Sequence, residues 1–365
     1  MQGRESAISK GSLEKSARLV DVARAAGVSQ GTASNVFNRP QIVREEVRDR
    51  VLAAAAALGY AGPDPRGRML RAGKVNAIGV VSSQPLAHFF TDPYARVLLS
   101  GIADACDTYG AGLSVVSAAR DEQLSWNIQS ALVDGFILFC IEDGERLVRL
   151  TRERQLPFVA LNLAIADETI QAIGIDDAAG ARLAAEHLTA LGHRRFAILS
   201  LPRRDVGHVG PVRADAFARA DHPTPGQRVA GYFDALRAAG IDTTAVPIFE
   251  TANDEASTAA VLDQLFSRSR PTALLVQSDR MAIAAIAWLW DHGLAVPRDV
   301  SVIGFDGVNE GAFTSPALTT IAQPTVDIGR LAVRAIVEPD GVIRRHQLPV
   351  ELVVRGSTAP PPDRE

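Results

Sequence analysis

From Val75 onward the chain repeats one pattern: a short apolar run that reads as a strand, then a stretch with helical spacing. The strand-like runs cover residues 76–82, 113–117, 136–141, 158–161, 172–175, 196–200, 273–277 and 300–305. They are apolar almost without interruption, as strands covered on both faces are. Helical patterns fill many of the gaps. One spans 177–191, with Asp177 as N-cap and Gly192 as stop; others span 229–239, ended by Gly240, and 281–292, ended by Gly293. Alternation of this kind predicts doubly wound parallel sheets with helices on both faces. Eight or more such units exceed one compact sheet, so two α/β lobes are expected. Residues 201–226, rich in Arg, Pro, Gly and His, break the rhythm and read as a long surface loop.

The first sixty residues follow a different rule. Leu19, Val22, Ala23 and Ala26 recur at i, i+3, i+4 and i+7, one face of a helix. Gly27 can take the left-handed conformation that ends it, and Ser29 can cap the next helix. That helix, 30–37, turns Ala33 and Val36 inward and leaves Gln30, Gly31, Ser34 and Asn35 outward, where a recognition helix meets base edges. A third helix at 45–58 points Val47, Val51, Ala54 and Leu58 inward and stops at Gly59. The segment 61–74 holds two prolines and three glycines around basic residues, and reads as a linker with a turn or two of helix at 66–71.

Charge separates the same two parts. Residues 1–74 carry 13 Lys and Arg against 7 Asp and Glu, a surplus of +6, while the remainder carries −10. A basic head on an acidic body predicts that only the head meets phosphate. No run of about 18 uncharged apolar residues exists, so no membrane span is expected. Residues 1–16 lack an apolar signal core and read as a disordered arm, which argues against export. Cys106 and Cys140 cannot build a disulfide framework and read as buried thiols of a cytosolic protein. Seven scattered histidines suggest no metal site. His193 reads as a helix end, and His88, His208 and His222 lie in loop-like stretches. The three tryptophans read as core or interface.

In open α/β sheets ligands bind at the carboxyl ends of the strands. Polar residues gather at such ends: Ser82 and Ser83, Asn162, Ser278 and Asp279, and Asp306. Polar groups converging between two lobes suit a polar, polyhydroxylated small molecule.

The ordered strings of this chain resemble the LacI/GalR family of transcriptional regulators. They include Asp21-Val22-Ala23, Ala26-Gly27-Val28-Ser29, Leu58-Gly59-Tyr60, Val133-Asp134-Gly135-Phe136, Leu191-Gly192-His193-Arg194-Arg195, Gly231-Tyr232, Ser278-Asp279, Val302-Ile303-Gly304-Phe305-Asp306 and Leu318-Thr319-Thr320-Ile321. The resemblance implies an arm at 1–16, a helix–turn–helix domain at 17–62, a hinge at 63–74, a two-lobed body at 75–358 and a tail at 359–365. Lobe one would hold 75–162 and 318–341, and lobe two 163–317 and 346–358, in a fold like periplasmic sugar-binding proteins. It further implies a cytoplasmic bacterial regulator, nucleoid-associated when bound, that represses a carbohydrate uptake or catabolism operon. The homodimer (or tetramer) would sit on a pseudo-palindromic operator.

On the same resemblance, DNA would be met by Ser29, Gln30, Gly31, Thr32, Ser34, Asn35 and Asn38, and by hinge residues Arg68, Leu70 and Arg71, with Leu70 wedged between base pairs. The effector, a sugar or related metabolite, would meet Phe90, Asp92, Asn162, Arg228, Ser278, Asp279 and Asp306. Its binding would disorder the hinge and change operator affinity. No cofactor, metal or catalytic residue is implied.

Departures sharpen this reading. Many relatives carry Asp where Asn162 and Gly307 stand, so two acceptors are lost: either the ligand differs from a plain neutral sugar, or water fills in for them. Arg44 stands where a Ser or Thr cap is usual, and Gly67 loosens the hinge. Gln30 can pair with adenine, whereas Gly31 offers no side chain to a base. A transporter's solute-binding protein would need an export signal. An enzyme would need a nucleophile, metal or nucleotide motif, and none is present.

Overall fold

The structure, a computed structural model, describes residues 17–62, 73–139, 144–161, 163, 167–204, 208–219 and 222–362. The arm at 1–16, the hinge residues Arg68, Leu70 and Arg71, Cys140 and Asn162 lie outside the described residues. The chain divides into two compact units between Val75 and Asn76.

The first unit is a three-helix domain: α1 Leu19–Ala25, α2 Gln30–Asn38 and α3 Glu45–Ala57, with a short 3-10 turn at Pro40–Ile42. Val22 and Ala23 of the first helix, and Ala26 at its C-terminal cap, pack with Ala33 and Val36 of the second and Val51 and Ala55 of the third. Gly27, at φ +64°, supplies the left-handed residue in the turn between the first two helices. Helix α3 starts without a side-chain cap at Arg44, as its sequence implied. Leu58 differs from expectation. It is the residue that ends α3 and is exposed, while Ala55 takes the inward place.

In the second unit the helices are α4 His88–Thr91, α5 Pro93–Tyr109, α6 Asp121–Ser130, α7 Gly144–Glu153, α8 Asp177–Ala190, α9 Pro223–Ala238, α10 Glu255–Arg268, α11 Asp279–Asp291 and α12 Thr325–Val337. Its strands run β1 Ala77–Ser82, β2 Gly112–Ser117, β3 Gly135–Phe139, β4 Phe158–Ala160, β5 Ala172–Ile175, β6 Phe196–Ser200, β7 Gly210–Val212, β8 Ile248–Glu250, β9 Ala273–Val276, β10 Ser301–Asp306, β11 Thr319–Ala322, β12 Arg345–Leu348 and β13 Glu351–Val353. They form two sheets, one in the order β12-β5-β4-β3-β1-β2 and the other β13-β11-β10-β9-β6-β8-β7. All pairings are parallel except those of the edge strands β7 and β13. The inner strands are buried throughout, as in β3 and β9, which explains their unbroken apolar runs.

Sheet membership changes three times along the chain, and the changes correct the expected lobe boundaries. β5 pairs with β4 and β12, so the first lobe continues to Ile175 and not only to residue 162. β11 pairs with β10 in the second sheet, although 318–322 was expected in lobe one. β12, expected with lobe two, extends the first sheet. Helix α12 does lie on lobe one, where Gly101 and Gly329 let it approach α5. A Cβ on Gly329 would stand 2.8 Å from the Ile102 nitrogen.

The stretch 201–226 is not a plain loop. It contains β7, a 3-10 helix at Ala214–Arg219 and the first turn of α9, whose prolines at the helix start hid it from periodicity. Arg203 fixes it by pairing with the buried Glu250, Nε to Oε2 at 2.5 Å.

Candidate effector cavity and DNA-reading helix

On α2 the Ser29 Oγ accepts from the Thr32 amide at 3.0 Å and lies 2.9 Å from the Thr32 hydroxyl. These two side chains are therefore engaged in capping. Asn38 donates to Ser34 Oγ at 3.0 Å, one turn back. Gln30 and Gly31 are exposed, while Ser34 and Asn35 are half-buried. A Cβ placed on Gly31 would meet nothing closer than Ser29 Oγ at 3.8 Å, so a side chain has room there. Hence the surface offers Gln30 freely and Asn35 in part.

Between the two lobes of the body lies a cavity of about 280 Å³, near the small end of the range for small-molecule sites. Lobe one lines it with Gln84, His88, Asp92 and an apolar wall that includes Tyr94, Phe139, Leu161, Ile173 and Ile328. Lobe two brings Asp177, Arg228, Asn253, Ser278, Arg280 and Asp306, with Gln323 just beyond β11.

Arg228 organises this cluster. It is buried on α9, and Gly231 one turn on lets α9 press against the Ala178 backbone of α8. The approach brings Arg228 Nε onto Asp177 Oδ1 at 2.8 Å. Nη1 donates to the Gln277 carbonyl at 2.5 Å and lies 3.7 Å from Asp306 Oδ1. The guanidinium stacks 3.6 Å from the Phe305 ring centroid. Asp177 is free for this pairing because Asp176, not Asp177, caps α8, accepting from the Ala179 amide at 2.8 Å.

Asp306 ends β10 with φ at +123°, a conformation a non-glycine residue keeps only when its surroundings enforce it. Gln323 enforces it twice, donating its backbone amide to the Asp306 carbonyl at 3.0 Å and its side-chain amide to Oδ1 at 2.9 Å. Burial pushes the Asp306 carboxyl well above the usual range; Arg228 pulls it down, and Asp279 and Asp92 push it up. His88 is held below its ordinary value by burial, with Asp92 pulling up and Arg280 pushing down.

Asp92 reaches across the cleft. Its Oδ1 caps α5 through the Ala95 amide at 3.0 Å, and its Oδ2 accepts from Asn253 Nδ2 of lobe two at 3.3 Å. Asn253 Oδ1 in turn accepts from the Ser278 hydroxyl at 2.7 Å. At the rim, Arg96 of α5 pairs with Glu310 of lobe two.

Of the effector residues named from sequence, the cavity gathers Asp92, Arg228, Ser278 and Asp306. Two are corrected. Phe90 is 64% exposed and does not line the cavity, because α4 turns Phe89 into the core instead. Asp279 is fully buried, and its carboxylate accepts from the Gly307 and Val308 amides at 2.8 Å each and from Thr320 at 2.6 Å. It binds β10 to β11 and has no face toward a ligand. Burial pushes it up to about 7, against those three donors.

Gly307 explains one departure. At φ +78°, its Cβ would stand 2.6 Å from Ala322 Cα, so an Asp there would be strained and aimed at protein. Sequence reasoning missed His88, Asp177, Asn253, Arg280 and Gln323. Asp177 carried a positional signal, since it follows the strand-like run 172–175, whereas no such run marks β11 ahead of Gln323. Asn253 follows β8, a three-residue strand too short for periodicity. His193, read as a helix end, is buried and binds Thr272 at 3.0 Å and the Ala359 carbonyl at 2.9 Å. Trp288 is core, whereas Trp126 and Trp290 are exposed, and none of the three lines the cavity. Among the described residues no cluster is placed to hold a metal ion, and no helix is long and apolar enough to cross a membrane.

The model for "bacterial regulatory proteins, lacI family" matches residues 18–62, and that for a "periplasmic binding protein-like domain" matches 185–358. An HTH-type transcriptional regulator of Mycobacterium tuberculosis is 36% identical over 359 residues, covering 95% of this chain and 98% of that protein. The chain belongs to the LacI family of bacterial regulatory proteins. Its fold is also that of solved members. A Lac repressor dimer bound to operator and the anti-inducer ONPF shares 27% identity at a TM-score of 0.73, covering 94% of this chain and all (100%) of that one. A complex of the transcriptional regulator CelR with cellobiose shares 26% at a TM-score of 0.68, with coverages of 93% and 99%. This member is therefore a DNA-binding transcriptional regulator and not an enzyme.

Proposed function

We propose that this LacI-family member is a repressor of genes for carbohydrate uptake or catabolism, controlled by a sugar or related metabolite in the interlobe cavity. The observation that carries the reading is the Arg228 cluster. A buried guanidinium held by Asp177 and set beside Asp306 and Gln323 offers fixed donors and acceptors to the hydroxyls of a small polyol. The cellobiose complex of a structural relative supports the same class.

In this reading two copies pair through the body and set two heads on a pseudo-palindromic operator of about 14–20 bp, one half-site per head. Gln30 and Asn35 read base edges, Ser29, Thr32, Ser34 and Asn38 fix the helix against phosphates, and Arg68, Leu70 and Arg71 act in the minor groove. The effector binds one lobe arrangement better than the other and so shifts operator affinity.

Fluorescence anisotropy on DNA from the gene's own neighbourhood, with and without a sugar panel, tests the proposal. Specific, steeply salt-dependent binding that changes with one sugar is expected. Equal affinity for random DNA under every condition overturns it.

A further inference from the structure

The charges around the cavity are nearly all committed. Arg228 is spent on Asp177 and Asp306. Asp92 gives one carboxylate oxygen to the α5 cap and the other to Asn253. Asp254, outside the cavity, caps α10 through the Ser257 amide at 2.7 Å. Arg280 stands apart. It lines the cavity on the first turn of α11, half-buried, and among the described residues its guanidinium has neither a hydrogen bond nor an ion pair. Its charge reaches Asp254 and His88 only across space.

That placement is unfavourable in isolation. A cation in the first turn of a helix faces the positive end of the helix dipole, where an anion would be stabilised. A cation partly withdrawn from water also seeks a counter-charge. A guanidinium is the side chain best shaped for carboxylate or phosphate, since its planar fork binds two oxygens at once. Beside it the cavity presents the imidazole of His88, the Ser278 hydroxyl and the Asn253 amide.

We propose that the effector is an anionic sugar, bearing a carboxylate or a phosphate ester that Arg280 receives while its hydroxyls meet Asp306 and Gln323. The inference rests on the reading that the effector binds in this cavity. It makes Arg280 the residue that separates charged from neutral sugars.

The test is calorimetry and thermal shift on the full chain with glucose, galactose, mannose and fructose, each beside its sugar acid and its phosphate ester. At least one anionic form is expected to bind tenfold or more tightly than its neutral parent, and the acid and phosphate arms identify which anion is taken. Arg280→Gln should bring that ratio to within threefold of one, whereas Arg280→Lys, which keeps the charge, should retain most of it. A neutral sugar that binds as tightly as both its anionic forms overturns the inference and leaves the cavity reading standing. So does an unchanged ratio in Arg280→Gln. Binding of adenine or hypoxanthine, with every sugar form silent, overturns the carbohydrate reading and this inference together.

Discussion

The two lobes face one cavity with opposite chemistry. Lobe one gives it mostly an apolar wall, with Tyr94 and His88 packed around Phe139 at ring-centroid distances of 6.2 and 6.3 Å. Lobe two gives it most of the polar groups, fixed by hydrogen bonds from α8, α9, α11 and β10. Such a division suits a switch. In the proposed reading one lobe reads the hydroxyls and charge, and the other adds burial only when the cleft closes. Ligand affinity is then coupled to lobe position, which a site built wholly on one lobe could not achieve.

The largest expected effect comes from breaking the polar side. Arg228→Lys keeps the charge but loses the fork, leaving Asp177, the Gln277 carbonyl and Asp306 to compete for one ammonium. Loss of one charge-assisted hydrogen bond to the effector, about 1.5–3 kcal/mol, predicts a ten- to hundredfold loss of effector affinity by calorimetry. Arg228→Ala should in addition cost the fold about 3–5 kcal/mol, because it strands a buried carboxylate.

Cutting the link between the lobes comes next. Asn253→Ala removes the Asp92–Asn253–Ser278 chain while leaving each lobe's core intact. One or two hydrogen bonds at about 1 kcal/mol each predict a five- to thirtyfold weaker effector and a larger radius of gyration in solution scattering. An unchanged radius would separate closure from this contact. Arg96→Ala, at the exposed rim pair, should cost less than about 1 kcal/mol.

Titration gives a smaller signal from the same side. Asp306 and Asp279 are held above the ordinary carboxyl range, so the folded protein keeps protons that the unfolded chain has released. Stability from these groups is therefore full at low pH and is lost as pH rises from about 4 toward about 7 for Asp279. One proton of difference sets a slope of at most about 1.4 kcal/mol per pH unit. Between pH 5 and pH 7 the wild-type melting temperature should fall more than that of Asp306→Asn. Parallel curves would contradict the assignment.

The smallest effect lies in the head. Gly31→Gln fills open space beside Gln30 without disturbing the helix core. It should add a base preference of about 1–3 kcal/mol at one position in a randomised half-site selection. An unaltered logo would place that face of α2 elsewhere.

Much of this comparison could be read in the sequence, and the losses have causes. Period and glycine stops marked the helices of both units, and unbroken apolar runs marked the inner strands. The edge strands β7, β12 and β13 and the short β8 carry too few residues for period to show, and the lobe boundaries depend on which strands pair, which no local pattern records. At the site, Asp306 lay at a strand end where ligands gather, whereas Arg228, inside α9, was reached only through the family resemblance. Asp279 lay at such an end too, but only the fold shows its carboxylate turned onto the Gly307 and Val308 amides. Asp177 was hidden by a one-residue shift in the cap. Arg280 was hidden by its neighbours, because nothing in a sequence shows which arginine lacks a partner.

Operator affinity by fluorescence anisotropy, with and without the effector, in wild type and in Arg228→Lys, decides whether this cleft controls DNA binding. Wild-type affinity should change tenfold or more on adding the effector. The variant should bind ligand-free operator within about twofold of wild type and show no change at the same effector concentration. A variant that responds as wild type does, or an effector that fills the cavity without altering operator affinity, would contradict control from this cleft.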